Sequence, residues 1–141
     1  MILTVQNDNL FYPMLALFIW TFVVMLRNVQ VRLSAVGRGE LTNEYFELFH
    51  GAEPSESVVK TGNHLRNLTE IPPLFYIISL AVMITNHTGA AFTLLAWSYV
   101  VLRVCHGLIH LTINRVPVRF FFFFLSNLVL LAMWIRLALM L

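Results

Sequence analysis

A stripe of basic and polar side chains runs along one oily segment of the sequence. Arg103, His106 and His110 are spaced three and four residues apart, which places them on one face of a helix. Tyr99 and Asn114 extend the stripe by one step at each end. An arginine beside two imidazoles can bind an anion, move a proton or hold a metal. Because charged groups avoid lipid, we expect the stripe to face an interior cavity.

A second polar stripe lies earlier in the chain. Asn63, Asn67 and Glu70 stand at positions i, i+4 and i+7, which again predicts one helical face. If the two stripes face each other, Glu70 pairs with Arg103 and both line a pocket that opens to the cytoplasm. A purely structural ion pair is an equally valid interpretation, since polar side chains also hold membrane helices together.

Two arginines follow the first stripe, and two histidines flank the apolar segments. Arg115 and Arg119 are either cytoplasmic anchors or ligands for an anion. His64 and His87 lie near the predicted ends of apolar segments, where we expect them to reach towards the interface. Cys105 is the only cysteine, so no intrachain disulfide forms, and its offset from the stripe argues against a nucleophile.

The composition indicates a membrane protein. Of 141 residues, 59% are hydrophobic and 11% are charged, and the formal net charge is +2. A soluble domain carries about 25% charged residues, so this chain has too little polar surface for a water-soluble globule. The small net charge gives no support to a nucleic-acid partner. We therefore predict an integral membrane protein that contacts the lipid bilayer.

Four segments are long and apolar enough to cross a bilayer, which takes about 20 residues. They cover approximately residues 10–26, 63–85, 90–113 and 118–141. We therefore predict an all-α bundle of four transmembrane helices in a single domain, residues 1–141. A polar connection over about 34–59 joins the first two spans, and its glycines and Pro54 argue against a continuous helix. The residues before the first span lack the basic region of a signal peptide.

Basic residues predict the orientation of the spans, because they favour the cytoplasmic side. They cluster on the connection between spans one and two and on that between spans three and four, as Arg27, Arg32, Arg38, Lys60, Arg115 and Arg119. The long loop is therefore predicted to be cytoplasmic and both termini to lie on the opposite side.

The motifs in this order resemble a known family. Arg103-x-x-His106-x-x-x-His110 is followed by Arg115-x-Pro117-x-Arg119, and Asn67-x-x-Glu70 precedes two prolines. This pattern is similar to that of the MAPEG family, the membrane-associated proteins in eicosanoid and glutathione metabolism. The similarity covers nearly the whole chain and includes the prostaglandin-synthesising and small bacterial branches of the family.

The resemblance implies a homotrimer in a bacterial inner membrane that binds glutathione between neighbouring subunits. It also implies a transferase or peroxidase reaction on a lipophilic electrophile or hydroperoxide. Arg119 then stabilises the thiolate, and His110 occupies the position of a tyrosine near the sulfur, as a hydrogen-bond donor or a base. The remaining residues implied to bind glutathione are Arg32, Asn67, Glu70, Arg103, His106 and Arg115.

Three positions depart from the family pattern and keep other functions open. Asn63 replaces an arginine, His110 replaces a tyrosine, and Phe120 replaces a polar residue. A non-catalytic lipid-binding or scaffolding protein is the main alternative. A metalloenzyme with Glu70, His106 and His110 as ligands is another, although the sequence holds few histidines, and we predict no metal site.

Overall fold

The computed structural model describes residues 10–141, and the prediction on signal peptides concerns residues outside that range. Every regular element in the described range is a helix, which confirms the all-α prediction. The helices are α1 (Phe11–Gly37), α2 (Asn43–Leu48), α3 (Glu56–Glu70), α4 (Pro72–Ile84), α5 (Ala90–Leu111) and α6 (Val116–Ala138).

Four helical segments are long and apolar enough to cross a membrane. They are Phe11–Gly37, Glu56–Ile84, Ala90–Leu111 and Val116–Ala138. The chain is therefore an integral, multi-pass membrane protein whose helices contact the bilayer. The first two helical segments extend further than the apolar stretches of the sequence, to Gly37 and back to Glu56. Hydropathy locates the part of a helix at membrane depth, whereas hydrogen bonding continues the helix into the polar region.

The second span is divided at Ile71. Proline has no backbone N–H and clashes with the preceding turn, so Pro72 and Pro73 end α3 and open α4. The break separates a polar helix from an apolar one. The face that α3 buries consists of Val58, Thr61, His64 and Leu68.

The connection between α1 and α3 is folded onto the polar end of the bundle. It contains α2, whose first turn is capped by the Thr42 hydroxyl accepting the backbone N–H of Tyr45 at 3.2 Å. Val31, Ala35, Leu41 and Val58 form a small apolar cluster that fixes the connection against α1 and α3.

The main core lies where α4, α5 and α6 meet the N-terminal half of α1. Phe75 and Tyr99 stack at 4.6 Å between ring centroids near its centre, among Leu17, Ile78 and Met133. α5 packs most extensively on α6, and α1 on α3. α5 also contacts α3, so its inward face lies between α3 and α6.

Candidate functional site

The polar stripe of α5 turns into the protein, which confirms the prediction that it avoids lipid. Arg103 and Tyr99 are 0% exposed, His106 is 3% exposed and His110 is 4% exposed. A buried guanidinium is costly unless its donors are satisfied. The stripe must therefore be surrounded by acceptors.

Three neutral groups accept hydrogen bonds from Arg103. Its Nη1 donates to Asn67 Oδ1 and its Nη2 to Asn127 Oδ1, both at 3.2 Å. Its Nε donates to the Tyr99 hydroxyl at 3.1 Å. Asn127 Nδ2 donates to the Phe123 carbonyl at 2.9 Å, which fixes Oδ1 as the atom facing Arg103. Within residues 10–141 the cation therefore has neutral hydrogen-bond partners and no ion pair, and the Tyr99 and Phe123 ring centroids lie 5.3 and 5.0 Å from its guanidinium carbon.

The expected ion pair between Glu70 and Arg103 is absent, and that prediction was wrong. Glu70 is exposed and forms no ion pair within residues 10–141. The cause is the rotation of α3, which buries His64 and Leu68 towards α5. On that rotation the stripe of Asn63, Asn67 and Glu70 lies beside the contact, and only Asn67 reaches Arg103.

Arg119 forms the second cationic centre, at the first turn of α6. Its Nη1 donates to Asn114 Oδ1 at 2.8 Å and lies 3.3 Å from His110 Nε2. Because a guanidinium only donates, His110 Nε2 is the acceptor. His106 Nδ1 in turn lies 3.0 Å from the backbone carbonyl of Arg119. The α5 stripe therefore holds both the side chain and the main chain of Arg119.

A small cavity of about 180 Å³ adjoins these groups. It is lined by Asn67, His106, Val116, Arg119, Phe120 and Phe123. One side carries the cation, an amide and an imidazole, while the other is apolar. Asn67 directs its Oδ1 to Arg103, so its amide N–H groups are left to donate to a ligand.

Three of the predicted ligand residues lie elsewhere in the single chain. Arg32 lines a second cavity, of about 440 Å³, between α1, α2 and α3, where its guanidinium lies 5.2 Å from the Phe46 ring centroid. Arg115 is exposed just before α6, and Glu70 is exposed at the end of α3. The structure thus brings together Asn67, Arg103, His106, His110 and Arg119, but not Arg32, Glu70 or Arg115.

A comparison with known protein families identifies the family of the chain. The model of the MAPEG family matches residues 10–139. The chain belongs to the MAPEG family. The match spans all four membrane segments and the whole cavity around Arg119. No curated protein and no solved structure matches the chain.

Membership places the site in a chemical context. The MAPEG family includes glutathione-dependent transferases and peroxidases, and its members commonly use glutathione. Arg119 is the one arginine that lines the cavity, and neither it nor Arg103 forms an ion pair within residues 10–141.

Two polar residues of this network were not predicted from the sequence. His64 is 0% exposed and packs against His106 and His110, so its assignment to a span end was wrong. Its position on the buried face of α3, at helical spacing from Thr61 and Leu68, was the signal available. Asn127 was overlooked as well, although an amide within an apolar helix indicates a polar partner.

The ligands of the metalloenzyme alternative are not assembled. Within the part of this MAPEG chain that the structure describes, no group of three His, Cys, Asp or Glu side chains is placed to hold a metal ion. Glu70 is exposed, whereas His106 and His110 are buried. That ligand set therefore has no structural support.

Proposed function

We propose that this MAPEG protein is a glutathione-dependent membrane transferase or peroxidase acting on a lipophilic electrophile or hydroperoxide. One observation carries the proposal. Arg103 and Arg119 both lie in the network around the cavity, and among residues 10–141 neither has a carboxylate partner. A site with two cations and no anion of its own is built for an anionic ligand.

The charges of glutathione fit this site in part. Glutathione carries two carboxylates, an ammonium group and a thiol. A cation beside the sulfur increases the thiolate fraction, and Arg119 is the half-buried cation at the cavity. A cavity of about 180 Å³ is large enough for the thiol end of the tripeptide but not for all of it.

The remainder of the ligand requires groups from outside this cavity. Glu70 is the exposed acid that suits the ammonium, and Arg32 and Arg115 suit the carboxylates. The single chain does not bring Glu70 or Arg32 to Arg119, and Arg115 lies one turn before Arg119 with its side chain exposed. We therefore propose that a neighbouring subunit of a homotrimer supplies the missing groups. The same proposal places the cavity on the cytoplasmic side of a bacterial inner membrane, with both termini opposite, in one domain of residues 1–141.

The residues at the cavity have two roles: some stabilise the charge on the sulfur, and others exclude water. When bound, glutathione supplies the sulfur nucleophile. Arg119 stabilises the negative charge on the sulfur, and Asn114 and His110 hold the guanidinium in place. Val116, Phe120 and Phe123 form the wall along which an apolar substrate enters from the membrane. The thiolate attacks a hydroperoxide oxygen and releases the alcohol, and a second glutathione then attacks the oxidised sulfur, which gives the disulfide and water. With an electrophile, the sulfur forms a bond to carbon and the leaving group departs with its electron pair.

Calorimetry on the detergent-solubilised protein tests the proposal. We expect saturable heat with glutathione for the wild type and at least tenfold weaker binding for Arg119→Ala, because a charge-assisted hydrogen bond contributes about 1.5–3 kcal/mol. Arg136→Ala is the matched control, since Arg136 lies at the far end of the same helix, over the Phe92 ring. The absence of heat with millimolar glutathione, or equal binding by Arg119→Ala, contradicts the proposal.

A non-catalytic lipid-binding or scaffolding protein is the second candidate. The observation in its favour is the apolar wall, where Phe120 is 62% exposed next to Arg119. An acyl chain with an anionic head group suits that combination. This function predicts lipid that copurifies with the protein and no turnover with electrophiles or hydroperoxides. Turnover that is lost in Arg119→Ala rules it out.

A further inference from the structure

Three buried imidazoles from two helices form a triangle behind Arg119. His64 of α3 lies 5.9 Å from His106 and 5.3 Å from His110, and the two α5 rings lie 5.9 Å apart, measured between ring centroids. We call these three side chains the histidine cluster. His106 lines the cavity and His110 contacts Arg119, whereas His64 touches neither.

The space for His64 is created by a glycine. A Cβ atom at Gly107 would lie 2.5 Å from His64 Nε2 and 2.7 Å from Trp20 Cζ2, closer than such atoms approach. Gly107 stands between His106 and His110 on α5, and Trp20 of α1 meets the His64 ring edge to face at 6.2 Å. Helices α1, α3 and α5 thus pack closely around the imidazole of His64.

Hydrogen bonds at Arg119 assign the protons of two members of the cluster. His106 Nδ1 faces a carbonyl oxygen, which only accepts, so Nδ1 carries the proton and Nε2 is a free acceptor. His110 Nε2 accepts from the guanidinium, so its proton is on Nδ1, which is a free donor. Both remaining nitrogens are buried and have no hydrogen-bond partner among residues 10–141.

His64 has the acceptor and the donor that these two atoms need. Both of its ring nitrogens are buried without a partner, and a neutral imidazole has one donor and one acceptor. It can therefore accept from His110 and donate to His106, in each case through a bridging water. Buried polar groups are almost always paired in folded proteins, and this linkage pairs all four nitrogens at once.

We propose that His64 is a positioning residue for Arg119. His64 links His110, which accepts from the Arg119 guanidinium, to His106, which donates to the Arg119 backbone carbonyl. This chain of contacts fixes the cation at the cavity. This inference rests on the proposed function of Arg119 in holding a thiolate. A supporting residue of this kind matters because a displacement of about 1 Å at a reacting centre reduces the rate roughly a hundredfold.

Nitrogen NMR of the histidine-labelled protein in detergent tests the linkage without any ligand. In the wild type we expect one neutral tautomer for each of the three rings, with the proton on Nδ1 in His106 and His110. In His64→Phe we expect the tautomers, which the contacts with Arg119 set, to stay the same, while the nitrogen shifts of His106 Nε2 and His110 Nδ1 lose their hydrogen-bonded values. His64→Gln, which keeps a donor and an acceptor, restores those shifts. His50→Phe is the matched control, because His50 is exposed on the loop.

A second measurement follows the thiolate absorbance of bound glutathione and its conjugation rate with 1-chloro-2,4-dinitrobenzene. We expect His64→Phe to lower the turnover number about tenfold or more with little change in the Michaelis constant for glutathione, and His64→Gln to recover most of it. A purely structural role would instead reduce the amount of folded protein equally in both variants.

Two results would overturn the inference. One is an averaged mixture of tautomers at His64 in the wild type, a result that does not depend on any variant folding. The other is unchanged nitrogen shifts of His106 Nε2 and His110 Nδ1 in folded His64→Phe. If glutathione fails to bind the wild type, the proposed function falls, while the nitrogen shifts still decide whether His64 links its two neighbours.

Discussion

The polar stripes of α5 and α3 look alike in the sequence but have opposite environments. On α5, Arg103 is fully buried and each of its three guanidinium nitrogens donates to a neutral acceptor. On α3, Asn63 and Glu70 are exposed, and only Asn67 takes part in the network. Periodicity placed both stripes on a helical face, yet only one of those faces turns inward.

The difference shows how the chain handles a cation in an apolar bundle. A carboxylate at Arg103 would neutralise the charge within the protein. Amide and hydroxyl oxygens satisfy its hydrogen bonds instead and leave the positive charge available. The α3 stripe keeps its acid on the outside, where we propose that a second subunit meets it.

The largest expected effect comes from Arg103→Met. The change leaves Asn67 Oδ1, Asn127 Oδ1 and the Tyr99 hydroxyl without their donor, at roughly 1–3 kcal/mol for each buried group that stays unsatisfied. We expect the apparent melting temperature in detergent to fall sharply, even without ligand. Arg27→Met, which removes an exposed arginine bonded to Gln30, is the control. Equal stability of the two variants would show that the α5 stripe does not hold the bundle together.

Asn67→Asp tests whether glutathione binding requires Arg103 to have no anionic partner within the chain. The aspartate has nearly the same shape but gives Arg103 an anionic partner, so the fold should keep its stability. Glutathione binding should weaken roughly tenfold or more, since one charge-assisted interaction is worth about 1.5–3 kcal/mol. Asn63→Asp adds the same charge at an exposed position of the same stripe and should bind nearly normally. Unchanged affinity in Asn67→Asp would separate Arg103 from ligand binding.

Glu70→Gln has a smaller expected effect, confined to the ligand. Because Glu70 is exposed and has no ion-pair partner in the described chain, its loss should not change the melting temperature. The affinity for glutathione should fall several-fold if Glu70 of a neighbouring subunit binds the ammonium. Glu44→Gln, on exposed α2, is the control. A loss of stability like that of Arg103→Met would place Glu70 inside the folded chain.

Helical periodicity was enough to predict the four spans and the buried stripe of α5. A hydrophobic helix with polar groups at steps of three and four has one way to hide them. The rotation of α3 could not be predicted in the same way, because polar residues lie on two of its faces. Which face α3 buries depends on contacts between residues distant in sequence, above all the close approach of His64 to Gly107, which has no side chain.

The smallest expected effect comes from breaking an exposed ion pair, whose arginine, unlike the buried ones, has a carboxylate partner. Arg38 and Glu40 form an exposed ion pair after α1, with Nε and Oε1 2.6 Å apart. The hydrogen bond from Arg38 lowers the pKa of Glu40. The folded pKa therefore lies below the unfolded one. The pair stabilises the protein above the ordinary glutamate pKa, about 4.3, and this contribution is lost as the pH falls through the folded pKa.

Because water and salt screen both charges, Glu40→Gln should change the melting temperature only slightly at neutral pH, and not at all once the pH lies below the folded pKa of Glu40. The two proteins should also converge as salt is added at pH 7. Melting curves of the wild type and the variant under these conditions provide the measurement. A destabilisation as large as that of Arg103→Met would mean that an exposed, neutralised arginine matters as much as a buried, unneutralised one. The contrast between the two kinds of charge would then have no energetic basis.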